Sequence, residues 1–340
     1  MSTSGIEPRD ALFWETEKDH VRCHLCPHSC LIKDGKVGVC RVRQNVDGTL
    51  KAISYGMVSS VHLDPLEKKP LFHFRPGEPV LSFGGLSCNL RCEHCQNHTI
   101  AQVGIENGIS RYVPPEEVAE MCQRVGSNGV AWTYNEPTIW YEYMLESSRL
   151  CKERGLFTVS VTNGFIQEAP LRSLKGVIDA MNIDVKGFTE NFYGEVCKGS
   201  LAPVLRACEV AREIGIHVEL TYLIIPGKND RRQEIADFCQ WVRDSMGTQT
   251  PVHFSRFHPD YKMEDVPPTP RSTMDLALKE GKAHGLDYVY VGNIATENGE
   301  NTYCPKCSSL LVRRSGFSAE IVGIKDRACS KCGRPADIVW

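Results

Sequence analysis

The chain has 340 residues, 41% of them hydrophobic and 24% charged, with a formal net charge of −3. That length suffices for one large domain with small appendages, and so balanced a charge gives no electrostatic footprint for nucleic acid. No run of about 18 apolar residues predicts a membrane span, and the first residues lack the apolar stretch of a signal peptide, so a cytoplasmic protein is expected.

Sixteen cysteines in such a chain read as metal ligands rather than disulfides. The first group, Cys23, Cys26, Cys30 and Cys40, lies in an N-terminal region, 1–78, with spacing C-x2-C-x3-C-x9-C. It suits a closed four-thiolate site, and the spacing does not choose between zinc and an auxiliary iron–sulfur cluster.

From about residue 79 strands and helices alternate. Strands are predicted at 80–86, 129–135, 157–162, 179–185, 217–224, 252–257 and 286–291. Their near-continuous apolar character suits parallel strands covered on both faces. Pro114-Pro115-Glu116-Glu117 opens a helix, with proline near its start and acids in its first turn. Further helices are predicted at 138–154, stopped by Gly155, and at 201–213, 230–245 and 272–284. Right-handed crossovers of this length imply an open or closed α/β barrel over 79–297, with its chemistry at the C-terminal strand ends.

The first strand end carries the second group, Cys88, Cys92 and Cys95, spaced C-x3-C-x2-C. Structural zinc and ordinary iron–sulfur clusters take four ligands. Three thiolates leave one metal position open, where a small molecule can bind and react. The third group closes the chain in a tail, 298–340. Cys304 and Cys307, with Cys329 and Cys332, form two C-x2-C knuckles like those of a zinc ribbon. A tail of about 40 residues lacks the core to fold without a staple, which favours structural zinc over rubredoxin-like iron. Cys122, Cys151, Cys197, Cys208 and Cys239 read as small buried hydrophobes. Cys197 falls in a predicted loop and stands apart from the others.

Glu219 lies on an apolar strand, where an unpaired carboxylate is expensive to bury. A contact inside the barrel lumen, to a cofactor or substrate, is expected.

The run Leu81 to Asn97 resembles the signature loop of the radical S-adenosylmethionine (SAM) superfamily. The resemblance implies a partial (β/α)6 barrel and a [4Fe–4S] cluster on Cys88, Cys92 and Cys95. SAM would chelate the fourth iron and be cleaved reductively to a 5′-deoxyadenosyl radical, with the protein supplying binding and orientation. It also implies a SAM site. Thr133-Tyr134-Asn135-Glu136-Pro137 stands where many members carry Gly-Gly-Glu-Pro, so Glu136 and Pro137 match and Tyr134 and Asn135 replace the glycines. Thr162 and Asn163 end the third strand. Asp184 and Lys186 resemble the Asp-x-Lys of glycyl-radical-enzyme activases, and His258 matches a Phe-His of the same group. His94 occupies the place of an aromatic ring near the adenine.

A narrower resemblance rests on the N-terminal Cys-x2-Cys-Pro-His-x-Cys and on residues 135–140, 182–188 and 253–259, with the C-terminal double knuckle. Together they resemble the radical SAM family of the AmmeMemoRadiSam system, a relative of pyruvate formate-lyase activating enzymes. This implies a one-electron donor such as flavodoxin or ferredoxin, and Memo-like and AMMECR-domain partners. The implied function is hydrogen abstraction from an unidentified substrate, or from a glycine of a partner polypeptide. The rival is a non-catalytic metal-binding adaptor, and the incomplete shell at Cys88, Cys92 and Cys95 argues against it.

Overall fold

The apolar runs form one eight-stranded sheet, seen in a computed structural model that describes residues 8–294 and 299–340. The expected boundary at 297/298 lies outside the described residues. The strands are β1 (Ser60–Pro65), β2 (Pro79–Gly84), β3 (Gly129–Trp132), β4 (Phe157–Thr162), β5 (Ala180–Asp184), β6 (His217–Ile224), β7 (Val252–Arg256) and β8 (Val289–Gly292). They neighbour one another in chain order, β2 to β8 all parallel. The seven predicted strands are present, two with the predicted bounds (157–162 and 217–224) and the others with ends shifted by one to three residues. The eighth, β1, comes from the N-terminal region and pairs antiparallel with β2.

Helices cover the outside. They are α1 (Pro115–Arg124), α2 (Tyr141–Glu153), α3 (Glu168–Arg172), α4 (Ala202–Glu213), α5 (Arg232–Trp241) and α6 (Arg271–Ala283). Pro115 opens α1 with Glu116 and Glu117 in its first turn, as predicted. Gly155 follows α2 at φ +73°, a left-handed stop that costs glycine little. The five-residue α3 was not anticipated.

Sequential parallel order with helices on one side curls the sheet. Laid flat, seven strands would spread their ends over about 29 Å. Here residues at the C-terminal ends of β3 to β8 line one cavity.

The barrel floor is sealed by the chain's own segment 66–74. Leu66, Leu71 and Phe74 pack against Val80, Phe157 and Val159. Asn182 donates to the Pro70 carbonyl at 2.8 Å. Glu219 faces the lumen, as expected, but both its oxygens are occupied there. They accept from the backbone N–H of Phe72 (3.0 Å) and His73 (2.7 Å), and from His217 (3.0 Å) and His253 (2.7 Å). Glu219 is fully buried and is therefore a structural anchor, which corrects its assignment to SAM or substrate. Burial pushes its pKa up, but the hydrogen bonds from His217 and His253 outweigh that and hold it well below the usual range.

His73, also fully buried, joins floor and tail. Its Nδ1 lies 2.6 Å from the Asp337 carbonyl and its Nε2 2.6 Å from the Tyr290 hydroxyl. A carbonyl only accepts, so Nδ1 carries the proton. Burial pushes the His73 pKa down to about 4 from 6.5. The unfolded chain thus takes up this proton at higher pH than the folded one. Stability from this residue is complete above about pH 6.5 and is lost as pH falls towards 4, by up to about 3 kcal/mol. Urea titrations across that window should show the loss, and His73→Gln should flatten it.

The N-terminal lobe is two three-stranded antiparallel sheets. It docks on α2 through the buried pair Arg43–Glu142 (3.0 Å). The tail holds a three-stranded sheet and a small hairpin around Leu311, Val312 and Ile338. Its Arg314 reaches the floor, donating to the Phe72 carbonyl at 2.7 Å and lying 4.1 Å over the Phe72 ring. Among the described residues no helix is long and apolar enough to cross a membrane.

Candidate active site

The cavity at the C-terminal strand ends has a volume of about 570 Å³, within the range of about 300–1,000 Å³ usual for small-molecule sites. Parallel barrels gather their chemistry at this end. Cys88, Cys92 and Cys95 lie in its wall, on the loop that leaves β2. That loop starts tightly. A Cβ on Gly85 would meet the Trp140 ring at 3.0 Å, and Ser87 sits at φ +71°, strained for a non-glycine residue. Cys92 is buried, while Cys88 and Cys95 are half-buried. The Leu90 N–H donates to the Cys88 sulfur at 3.3 Å.

Sulfur spacing separates the cysteine groups. Among the described residues, only Cys304, Cys307, Cys329 and Cys332 bring all their ligand atoms within 4.8 Å of one another. Two sulfur pairs there, Cys304–Cys332 and Cys307–Cys329, are 3.6 Å apart. Four thiolates at about 2.3 Å from a tetrahedral ion stand about 3.8 Å apart, so this group suits one ion. Cys88, Cys92 and Cys95 are set wider, as a cluster larger than an ion requires. Cys197 is fully buried in the turn Tyr193–Cys197. Its neighbouring thiol, together with burial, pushes Cys92 well up.

A hydrogen-bonded frame fixes this loop. Asn135 accepts from the Gly85 N–H (2.9 Å) and donates to the Ser87 carbonyl (3.0 Å). Glu136, 1% exposed, accepts from the Thr138 N–H (2.9 Å), the Thr162 hydroxyl (2.7 Å) and the Asn163 N–H (2.8 Å). Burial pushes Glu136 up, with these bonds opposing. The Asn163 amide donates to Asn89 Oδ1 at 2.9 Å and to the Cys88 sulfur at 3.5 Å. All four predicted residues line the cavity. Their side-chain bonds, however, run to one another and to the cysteine loop, so they are positioning residues. Tyr134, where the resemblance puts glycine, adopts φ +72°, a glycine-like backbone. Its hydroxyl donates to Asp64 and its ring lies 4.5 Å from Lys69 Nζ, contacts that offset about 1–2 kcal/mol of left-handed strain.

The charged groups differ in kind. Lys186 pairs with Asp184 at 2.9 Å in the cavity wall. Burial works against the Lys186 charge, but Asp184 and the nearby thiols outweigh it and raise its pKa. His94 is buried in the same wall, with a Nδ1 that has no protein partner. Burial, then Lys186, pushes its pKa down to about 3. His258 does not line the cavity. It is exposed and lies 3.2 Å from Gln96, a residue of the cysteine loop that lines the cavity.

Two contributors gave no signal in the sequence. Lys69, 2% exposed, lines the cavity and pairs with Asp64 at 2.7 Å. Burial pushes its pKa down to about 8. Phe317, at the tip of the tail hairpin, is exposed and also lines the cavity.

Three widely set thiols, an unpaired buried imidazole nitrogen and a carboxylate–ammonium pair around one cavity fit an iron–sulfur cluster beside a small zwitterionic ligand. Comparison with known proteins agrees. The sequence model of the radical SAM superfamily matches residues 85–239. An uncharacterized protein of Methanocaldococcus jannaschii is 47% identical over 97% of this chain and 99% of its own. The pyruvate formate-lyase 1-activating enzyme of Escherichia coli K12 is 22% identical over 55% of this chain and 82% of its own. In fold, the chain resembles the crystal structure of Streptococcus suis SuiB bound to S-adenosylmethionine, with TM-score 0.51 and 13% identity over 71% of this chain and 56% of that one. Sequence, fold and cysteine loop converge, and the chain belongs to the radical SAM superfamily.

Proposed function

We propose that this enzyme cleaves SAM reductively and uses the product radical to abstract hydrogen from a substrate. The observation that carries the reading is the cysteine loop, held by Asn135 and Asn163 at the wall of a ligand-sized cavity. Cys88, Cys92 and Cys95 would hold a [4Fe–4S] cluster, and Asp184, Lys186 and His94 the SAM beside it. The chemistry supplied by that pair, once bound, is one-electron cleavage of SAM to methionine and a 5′-deoxyadenosyl radical. The chain's residues do the rest. Lys186 presents a cation and Asp184 an anion to a zwitterion, and His94 offers a buried ring whose Nδ1 has no protein partner.

Similarity to an activating enzyme supports a polypeptide as one substrate, and the sequence resemblance to glycyl-radical-enzyme activases proposes a glycine as its target. The partners proposed with it are a one-electron donor such as flavodoxin or ferredoxin and, on the sequence resemblance, a Memo-like and an AMMECR-domain protein. We propose zinc for the C-terminal group, whose sulfurs stand at tetrahedral spacing. The test is anaerobic incubation of the reconstituted, dithionite-reduced protein with SAM. Methionine and 5′-deoxyadenosine should accumulate together. Protein with a verified cluster that yields neither would overturn the reading.

A further inference from the structure

The chain carries two four-cysteine groups, and they are built differently. The tail group has contracted to the separations of a single tetrahedral ion. Cys23, Cys26, Cys30 and Cys40 have not. Although they are described residues, no three of them fall within 4.8 Å of one another. They are nonetheless one site. All four line a single small cavity, walled by Leu25, Ile32 and Ile139. Three of the four are more than nine-tenths buried and all four are free thiols. A hollow lined by four thiols, wider than an ion needs, suits a larger occupant.

One detail matches the Cys88 loop. There the Leu90 N–H donates to a cysteine sulfur, and here the Val39 N–H donates to Cys30 Sγ at 3.5 Å. Such bonds stabilise sulfur carrying negative charge and tune cluster potentials. Gly38 keeps this rim open, since a Cβ there would press on Ile32 at 3.2 Å and stand 3.5 Å from Cys30 Sγ.

The two sites also touch. Arg91, on the Cys88 loop, donates to the Cys88 carbonyl at 2.6 Å and, with its other nitrogen, to the Val39 carbonyl. His28, between Cys26 and Cys30, bonds the Asn89 carbonyl at 2.7 Å. One arginine side chain therefore spans from the first ligand of one site to the rim of the other, placing a cation between two anionic groups.

We infer that Cys23, Cys26, Cys30 and Cys40 hold a second iron–sulfur cluster of the [4Fe–4S] class, not zinc, adjacent to the cluster of the Cys88 loop.

The test uses the full chain, reconstituted anaerobically with iron, sulfide and zinc together, then desalted. Metal analysis should give about eight iron atoms and one zinc per chain. About four irons and two zincs would overturn the inference while leaving the SAM reading intact. The triple variant C88A/C92A/C95A separates the two further. It should keep about four irons and, once reduced, an electron paramagnetic resonance signal that SAM does not alter. An iron-free variant with its zinc at the tail would overturn the inference. Should the variant not fold, the wild-type spectrum decides. Two reduced clusters this close broaden each other's signals, whereas one cluster beside zinc gives a single unbroadened signal and would overturn the inference.

Discussion

Replacing Cys92 with alanine abolishes formation of 5′-deoxyadenosine, to below about one-thousandth of wild type, a change of about 4 kcal/mol or more. Cys92 is the buried member of the three, and its neighbours Cys88 and Cys95 alone cannot hold a cluster. The loss should be local. The tail thiols form their shell among themselves, and Cys23, Cys26, Cys30 and Cys40 line a separate cavity. Metal analysis of the variant should therefore show the flanking sites filled. Cys197 stands beside Cys92 but does not rescue it, because it lies on a different element, held by its own turn.

Glu136→Ala destabilises the fold by about 3–5 kcal/mol. It leaves the Thr138 and Asn163 N–H groups and the Thr162 hydroxyl, all buried, without their acceptor. The damage passes to the cluster through Asn163, whose amide holds Asn89 and the Cys88 sulfur. Iron content should fall along with stability, and 5′-deoxyadenosine yield by at least about tenfold. Glu136→Gln should fall between, since an amide accepts at one end and presents donors to a donor at the other. Urea midpoints and iron content of the two variants check this. A variant that keeps wild-type stability and iron but loses SAM binding would instead make Glu136 a direct ligand contact.

This outcome marks where the sequence was legible. The cysteine loop and the seven parallel strands could be read because spacing and apolar runs are local. What each strand-end polar residue faces is not local. Glu136 and Thr162 both looked like groups for SAM, yet they satisfy each other across two strands. Glu219 was rightly placed in the lumen, because an apolar strand cannot bury a lone carboxylate. Its partner, the backbone of Phe72 and His73, lies 147 and 146 positions away, and nothing in the segment 66–74 marks it as a floor. The strand β1 escaped for a related reason. Its burial pattern does not alternate and it ends in proline, as an edge strand can. Lys69 went unnoticed because it entered the site from that same segment.

The reading turns on whether SAM meets the cluster of the Cys88 loop. The direct measurement is the electron paramagnetic resonance spectrum of dithionite-reduced protein before and after SAM is added, with 5′-deoxyadenosine followed in the same samples. The reduced-cluster signal should change shape on adding SAM and decay as 5′-deoxyadenosine appears, with both effects absent from Cys92→Ala. A fully loaded protein whose spectrum ignores SAM and whose samples contain no 5′-deoxyadenosine would contradict the reading.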